Sequence, residues 1–318
     1  MDLIYTNPSR EDLGVLQNYD MDLAFGADEN NFECTIRADA HCCEAGSLLY
    51  MEGTEYGGII DAIQSKSDTQ EVVYSGRTWH GILNSKVIEP DSGEAHLKLT
   101  GEANAVIGSL IARMGVSSLF EASSEASGLN IKNYQMNRYI GGYDGILKML
   151  GSVGARLQVA FKGNKVILSA VARYDDEEFD SDLIDFDIKK RFKTVNHMIC
   201  LGSGELENRT VIHLYADQNG NISHTQTQFG MDEFTEVYDY SSVESEDELL
   251  SGGKERLKSL WEPAELSVDF DDSSDKYAVG DIVGAYDNIT GISVSAAITK
   301  KIVTIKNGQI TISYKVGE

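Results

Sequence analysis

Apolar and polar residues alternate with a period of two in several short runs of the first hundred residues. The clearest run is 32–37, and similar runs, separated by glycines and polar stretches, are 47–51, 58–63 and 71–74. A period of two is typical of half-buried strands. Short strands at regular spacing with glycine-rich turns predict a small barrel or sandwich. A helical spacing follows at 79–87, and Pro90 and Gly93 end this first module.

The next stretch, about 99–173, changes to a helical period. Apolar residues recur every three or four positions at 103–114 and again at 143–153, which predicts two amphipathic helices. Two alternating runs, 156–162 and 165–173, flank the dipeptide Gly163-Asn164 and predict a hairpin. We therefore expect this middle piece to combine helices with strands.

The last part of the chain returns to strands, which are predicted at 195–201, 210–215, 266–270, 282–286, 294–305 and 309–316. Asn307-Gly308 between the last two is a strong hairpin signal. One helix interrupts them: 241–244 has the form of a capping box, leucines follow at helical spacing, and Pro263 ends the pattern. Gly252-Gly253 inside this helix predicts a kink or a break.

These patterns predict an α+β fold that is mainly β and has three modules. The first module covers 1–98, the second is a small α/β module at 99–173, and the third covers 174–318 with a helical insertion around 241–262. A chain of 318 residues is long enough for two or three such domains.

The chain is strongly acidic, since 51 Asp and Glu residues against 27 Lys and Arg give a formal net charge of −24. A surface that binds nucleic acid needs lysines and arginines to displace phosphate counterions, so this balance disfavours that class and also docking on anionic lipid. The acidity is uneven. The net charge is −12 for 1–98, +4 for 99–173 and −16 for 174–318.

Membrane and export signals are missing from the sequence. No run approaches the roughly 18 apolar residues of a spanning helix, and the N-terminus lacks the basic start and apolar run of a signal peptide. We therefore expect synthesis in the cytoplasm and no membrane partner.

The cysteines carry no recognisable catalytic or metal-binding pattern. Cys34, Cys42, Cys43 and Cys200 form no CxxC pair, and His41 beside two of them does not complete a zinc set. No GxSxG elbow, cysteine-protease signature or HExxH motif frames a nucleophile or a metal. Buried or free thiols in a reducing compartment are the favoured interpretation.

Other candidate sites also have simpler interpretations. The acidic run 175–187 lacks the glycine and the final glutamate of an EF-hand, so we interpret it as a solvated linker. The same caution applies to Asp269, Asp271, Asp272 and Asp275.

The segment 202–204 begins like a dinucleotide fingerprint, but acidic residues follow it, and we interpret it as a turn. The basic residues 189–191 and 193 compensate the acidic run. We predict no catalytic, cofactor-binding or metal-binding residue.

Several segments together resemble the phage tail hub proteins. Residues 74–83, read as Tyr-Ser-Gly-Arg-Thr-Trp-His-Gly-Ile-Leu and closing in 86–90, resemble the hub segment GR-x-x-x-G-(I/L)-L followed by R/K-x-I-x-P. Residues 196–206 with 209–215 look like the second β module of that family, and 277–283 and 298–316 are similar too. The resemblance covers nearly the whole chain in the same order. The family includes the baseplate hubs of T-even phages, of PBSX-type prophages and of tailocins, which are phage-tail-like bacteriocins.

The resemblance implies two tube-like β-barrel modules, at 1–98 and 174–318, with the small α/β module between them. It implies a structural and non-enzymatic baseplate hub, commonly a homotrimer, whose ring joins the tail tube to the central spike of a virion or tail-like particle. The implied partners are further copies of the chain, the tube protein, the spike protein and other baseplate proteins. DNA would pass through the lumen without specific binding, and acidic residues along the lumen would keep it from adhering. Some relatives carry a fused peptidoglycan hydrolase, which we do not expect here after the last hairpin.

Two other function classes stay open. With 51 acidic residues, two carboxylates at the separation used by glycosidases are always available, so a tail-associated cell-wall hydrolase using an Asp/Glu pair is the second hypothesis. A receptor-binding or carbohydrate-binding tail module is the third.

Overall fold

The computed structural model describes residues 2–176, 186–190, 194–243, 245–261, 264–271, 275–286, 289–291 and 293–317. Strands account for 44% and helices for 19% of the chain, which confirms the predicted α+β, mainly β class. The strands lie in several sheets, and within the described residues they close no barrel. The chain divides into two compact units, 1–186 with 267–318, and 187–266. The module boundaries near 98 and 173 stay predictions.

Strands dominate the first part of the chain. In order, its elements are β1 (Leu3–Thr6), β2 (Asp12–Leu16), β3 (Asp20–Gly26), β4 (Asn31–Arg37), β5 (Leu48–Tyr50), β6 (Gly57–Lys66), β7 (Glu71–Thr78), α1 (Trp79–Asn84), β8 (Val87–Ile88), β9 (Leu97–Glu102), α2 (Ala103–Arg113), β10 (Phe120–Ala122), β11 (Asn130–Met136), β12 (Ile140–Gly141), α3 (Gly142–Gly151), β13 (Ala155–Lys162), β14 (Lys165–Ala172) and β15 (Asp175–Asp176).

The rest of the chain contains one long helix among strands. Its elements are β16 (Phe186–Lys190), β17 (His197–Leu201), β18 (Val211–Ala216), β19 (Ile222–Ser223), β20 (Thr235–Asp239), α4 (Glu246–Trp261), β21 (Ala264–Asp271), β22 (Ile282–Tyr286), β23 (Ser293–Lys306) and β24 (Gln309–Val316).

The large sheet of the first unit joins the two ends of the chain. Its strands follow the order β21-β24-β23-β3-β4-β7-β6-β5-β1-β2, and β22 pairs with β23 beside this path. Strand β23 runs antiparallel to β3, with Lys300 opposite Gly26 and Ile305 opposite Met21. The hairpin of β23 and β24 therefore extends the sheet formed by the first strands. This pairing joins segments that the sequence pattern assigned to different modules.

Both dipeptides that predict hairpins form tight turns. Gly163 and Asn164 have φ values of +55° and +70°, and Asn307 and Gly308 have φ values of +52° and +76°. Positive φ at both central residues is the type I′ geometry, whose twist matches the strands it joins. The flanking strands pair without a gap, from Lys162 opposite Lys165 in the first hairpin. Both hairpin predictions are confirmed.

The helices of the first unit share one apolar core with the strands around them. Helix α2 buries one face, made by Ala103, Val106, Ile107, Leu110 and Ile111, at the spacing the sequence predicts. This core extends along the chain from Leu48 to Ala170. The predictions at 103–114 and 143–153 are confirmed as α2 and α3. The helix predicted at 79–87 ends earlier, at Asn84, because Val87 and Ile88 form a strand that pairs with β12.

The second unit is a four-stranded sheet with helix α4 against one face. The strand order is β19-β18-β17-β20, and the core between sheet and helix contains Met198, Cys200, Leu214, Ala216, Leu249 and Leu257. Helix α4 begins at Glu246, where the Ser245 hydroxyl accepts a hydrogen bond from the Glu248 N–H at 3.4 Å. The capping box predicted at 241–244 is therefore wrong. Residues 241–242 form a turn, and the N–H of the buried Val243 donates to the Tyr240 carbonyl, while residue 244 lies outside the described residues.

Helix α4 continues through Gly252 and Gly253, so the break predicted there is wrong, while a kink stays a prediction. The glycines instead allow the helix to lie close to the sheet. A Cβ atom at position 253 would stand 2.3 Å from the Cys200 sulfur, which no real packing permits. At position 252 the nearest atom is the Tyr238 hydroxyl oxygen, the far end of a side chain, at 2.7 Å.

We expect Gly253→Ala to destabilise the protein by roughly 1–2 kcal/mol. Overpacking a dense core outweighs the gain of about 1 kcal/mol in helix propensity. Urea unfolding followed by circular dichroism measures the change. Ser251→Ala, at an exposed position of the same helix, is the matched control and should shift stability by less than about 0.5 kcal/mol. A Gly253→Ala chain as stable as the native one would contradict this packing argument.

Candidate functional site

The cysteine cluster at 41–43 is a structural loop anchored by one tyrosine. The Tyr74 hydroxyl oxygen accepts hydrogen bonds from the N–H groups of Cys42 and Cys43 at 3.1 and 3.2 Å, and it lies 2.8 Å from His41 Nδ1. Burial is the main cause that raises the pKa of the Cys43 thiol to about 12, and burial also raises the pKa of Cys34. Thiols in such surroundings are poor nucleophiles.

The other sequence candidates acquire no catalytic or metal-binding geometry in the described part of the chain. Residues 202–204 form a bend followed by the short 3-10 turn Leu206–Asn208 rather than an α-helix, which confirms the turn interpretation. Most of the acidic run 175–187 and the basic residues 191 and 193 lie outside the described residues. Among those described, no three His, Cys, Asp or Glu side chains are placed to hold a metal ion, and no helix is long and apolar enough to cross a bilayer.

The most unusual chemistry in the first unit is a buried ammonium group. Lys301 on β23 is 1% exposed. Its Nζ donates to the Glu55 carboxylate at 2.7 Å and also to the Asp275 carboxylate. The rings of Phe25, Tyr56 and Tyr314 surround it, with centroids 5.4–5.8 Å from Nζ. Two carboxylates and three aromatic faces replace the water that the ammonium loses on burial.

A second buried side chain, His80 in α1, adjoins this cluster. Its Nε2 lies 3.5 Å from the other Glu55 oxygen, and its ring stacks on Phe25 with centroids 4.5 Å apart. Burial disfavours the charged form of Glu55, but Lys301 and His80 outweigh that effect and lower the pKa of Glu55 to about 2. Burial likewise acts to lower the pKa of Lys301, and Glu55 with Asp275 raises it above the usual value. The cluster is therefore ion-paired at neutral pH.

The sequence contained a signal for this cluster. Along β23 the inward positions are 301, 303 and 305, and two of them are the expected apolar residues Val303 and Ile305. A lysine at the third inward position of an alternating strand requires an acidic partner. The partners could not be identified from sequence, because Glu55 lies 246 residues away in a loop.

Another buried ion pair fixes the middle of the chain to the C-terminal strands. Asp281, just before β22, is fully buried, and its carboxylate lies 3.1 Å from Arg156 Nε on β13. The same carboxylate accepts hydrogen bonds from the N–H groups of Tyr174 and Ala278 at 2.6 and 2.8 Å. Burial raises the pKa of Asp281, while these hydrogen bonds and Arg156 oppose the shift.

One edge of the large sheet is open and apolar. Strand β2 has β1 as its single neighbour among the described strands. The side chains of Leu13 and Val15 on this strand are 55% and 40% exposed to solvent. The preceding turn is fixed in place, since Arg10 Nη1 donates to the Ser118 carbonyl at 2.7 Å. An ordered edge strand with exposed apolar side chains is a ready template for pairing with another chain.

Two open clefts of about 590 and 580 Å³ adjoin this edge. Both are lined by residues 15–18 and by Arg37 at the end of β4. The larger cleft is also lined by Asp2, Asp20 and Glu71. We define the open edge as β2 with residues 15–18 and Arg37, and we take it as the candidate functional site. The sequence analysis predicts no strand at 12–16, so this edge is a finding of the structure.

The fold matches solved structures of tail proteins over the full length of the chain. The 43 kDa tail protein of prophage MuSo2 from Shewanella oneidensis aligns with a TM-score of 0.56 and 11% identity, over 99% of this chain and 98% of that one. The prophage tail protein gp18 from Listeria monocytogenes aligns with a TM-score of 0.51 and 11% identity, over 99% and 94%. The tail protein from Neisseria meningitidis aligns with a TM-score of 0.50 and 13% identity, over 100% and 96%.

The chain has the fold of these tail proteins. No protein-family model matches the sequence, and no curated protein matches it either. At 11–13% identity the likeness is one of fold. It agrees with the phage-tail resemblance of the sequence segments at the level of the fold.

We expect Lys301→Met to destabilise the chain by roughly 3 kcal/mol, because it leaves the Glu55 carboxylate buried without its cation. Lys315→Met, at an exposed position of β24, is the matched control and should change stability by less than about 0.5 kcal/mol. Equilibrium unfolding in urea measures both. Equal effects of the two substitutions would show that the buried pair contributes nothing.

The Glu55 carboxyl should also produce a defined pH dependence. Because its pKa is lower in the folded protein than in the unfolded chain, its stabilising effect is present above about pH 4.5 and is lost as the pH falls towards 2. The native chain should therefore lose up to about 3 kcal/mol of its stability advantage over Glu55→Gln across this range. Urea unfolding of both chains at pH 7, 4 and 2.5 tests this. A constant difference would contradict the assignment.

Proposed function

We propose that this protein is a structural component of a phage tail or phage-tail-like particle, and specifically its baseplate hub. The observation that carries the proposal is the fold likeness to the MuSo2 tail protein over 99% of this chain and 98% of that one. The hub segments of the sequence favour the finer assignment. The partners are the tail tube protein, the central spike and other baseplate proteins, and the chain is made in the bacterial cytoplasm before assembly into the particle.

The proposed hub is a ring of several copies, with three as the expected number. Each copy contributes two tube-like modules, so three copies present six similar units to a sixfold tube. Within one chain the described strands close no barrel, and the open edge at β2 supports completion of the tube by neighbouring copies. Leu13 and Val15 would then be covered by the adjacent subunit.

The distribution of charged residues along the chain supports a central channel in the proposed ring. The acidity of the chain is confined to 1–98 and 174–318, while 99–173 is net positive. We propose that part of the acidic surface lines the lumen of the ring, where like charge keeps passing DNA from adhering. A reconstruction of the ring with a basic or uncharged lumen would overturn this part of the proposal.

Mass photometry and cryo-electron microscopy test the ring directly. We expect the purified chain, alone or with its tube and spike proteins, to form a closed ring. Val15→Lys should weaken ring formation at least tenfold, because it places a charge on the apolar edge strand. Thr311→Lys, at an exposed position of β24 far from β2 in the strand order, is the matched control. A chain that stays monomeric with its tube and spike proteins would overturn the proposal.

A cell-wall hydrolase is the second candidate, favoured by the three acidic residues that line the larger cleft beside β2. Glycosidases need two carboxyl groups facing each other across a cleft. Incubation with peptidoglycan separates the two functions. Robust cleavage that is abolished by Asp20→Asn or Glu71→Gln would establish the hydrolase, and intact peptidoglycan is the outcome expected of a hub. Glycan-array binding without assembly on tube protein would favour the carbohydrate-binding module instead.

A further inference from the structure

Leu206 presents an aliphatic side chain to solvent between two acids. It is 93% exposed and lies in the short 3-10 turn Leu206–Asn208 between β17 and β18. Its φ of +49° is uncommon for a residue other than glycine. Glu205 and Glu207 on either side are also exposed. We call these three residues the acidic leucine turn.

The acidic leucine turn is held firmly by the surrounding chain. Arg209 Nε donates to the Gly202 carbonyl at 3.0 Å, and the same guanidinium pairs with Asp239 on β20. Gly204 has a φ of +101°, and a Cβ atom there would stand 2.4 Å from the Asn208 carbonyl oxygen. A rigid backbone therefore displays the leucine outward. An exposed apolar side chain in a strained and ordered backbone is a reason to look for a partner that covers it.

A second exposed feature lies in the first unit, where β8 pairs with β12. Tyr139, in the turn before β12, is 61% exposed with a φ of +53°, and the Arg138 guanidinium lies 5.4 Å from its ring centroid. The β8–β12 pairing places Val87 opposite Gly141, two residues beyond Tyr139, and Val87 is 50% exposed. Lys86 next to it is exposed as well. We call Lys86, Val87, Arg138 and Tyr139 the basic–aromatic ridge.

The two features are complementary in charge and in chemistry. The acidic leucine turn carries two negative charges around an aliphatic group. The basic–aromatic ridge carries two positive charges around an aromatic and an aliphatic group, and the exposed Glu89 nearby leaves it net positive. The chain has a net charge of −24. A positively charged apolar surface on such a chain is complementary to an acidic surface of the partner.

The partner indicated is a second copy of this chain. A ring of identical subunits joined head to tail needs two different surfaces on each subunit that fit each other. The acidic leucine turn lies in the unit 187–266 and the basic–aromatic ridge in the other unit. One chain therefore provides both halves of such a contact.

We propose that the acidic leucine turn of one copy docks on the basic–aromatic ridge of a second copy. Leu206 then packs between Val87 and Tyr139, while the flanking glutamates pair with Lys86 and Arg138. This inference rests on the proposed ring, because it names one of the contacts between neighbouring subunits.

Charge reversal tests the contact. Arg138→Glu and Glu207→Arg should each raise the dissociation constant of self-assembly at least tenfold, measured by mass photometry in low salt with the tube and spike proteins present if assembly needs them. The two changes combined in one chain should return the constant to within about threefold of the native value. Lys148→Glu on α3 and Glu255→Arg on α4, both exposed, are matched controls and should leave assembly unchanged.

Leu206→Ser tests the apolar half of the contact without altering any charge, and it should also weaken assembly at least tenfold. Thermal unfolding of each variant verifies that the fold is intact. A native ring whose assembly is unaffected by Arg138→Glu, Glu207→Arg and Leu206→Ser would overturn this contact and leave the proposed hub standing. A native chain that stays monomeric with tube and spike proteins would overturn both.

Discussion

The architecture depends on a buried ammonium group that requires acidic partners from distant parts of the chain. Lys301 can lie inside the protein only when Glu55 and Asp275 are beside it, because an unpaired charge in such surroundings costs several kcal/mol. Glu55 comes from the loop before β6, while Lys301 lies on the strand that pairs with β3. The ion pair therefore favours one register of β23 against the N-terminal strands, since a shift by one residue would turn the lysine to the opposite face.

Local elements could be predicted because their causes are local. Gly163-Asn164 and Asn307-Gly308 specify their turns by backbone preference alone, and the period of α2 specifies which of its faces is buried. The start of α4 could not be predicted in the same way. The helix begins at Glu246 with the Ser245 hydroxyl as a hydrogen-bond acceptor, whereas Val243 is buried before the helix through contacts that the sequence does not display.

Pairings between strands that lie far apart in the sequence could not be predicted, for a different reason. The alternating pattern of a strand indicates which face is buried but not which strand lies next to it. The pairing of β3 with β23 and the open edge at β2 are therefore seen only in the structure. The buried Lys301 cluster shares this limit. Asp275 is one of the four acidic residues for which the sequence predicts no site, and its role as a partner of Lys301 follows from the pairing of distant strands. The role of Gly253 could not be predicted either, because its close approach to Cys200 depends on the sheet against which the helix packs.

The neighbours of β3 set an order of events during synthesis. β4 follows it almost at once on the chain, but β23 emerges from the ribosome more than 250 residues later. At about 5–20 residues per second, translation separates the two by tens of seconds. For that time β3 has an unpaired edge, in a chain already able to fold much of its first core. The nascent protein therefore passes through a partly formed sheet that is vulnerable to pairing with other chains, and rapid formation of the β23–β24 hairpin by its tight turn limits how long that exposure lasts after synthesis.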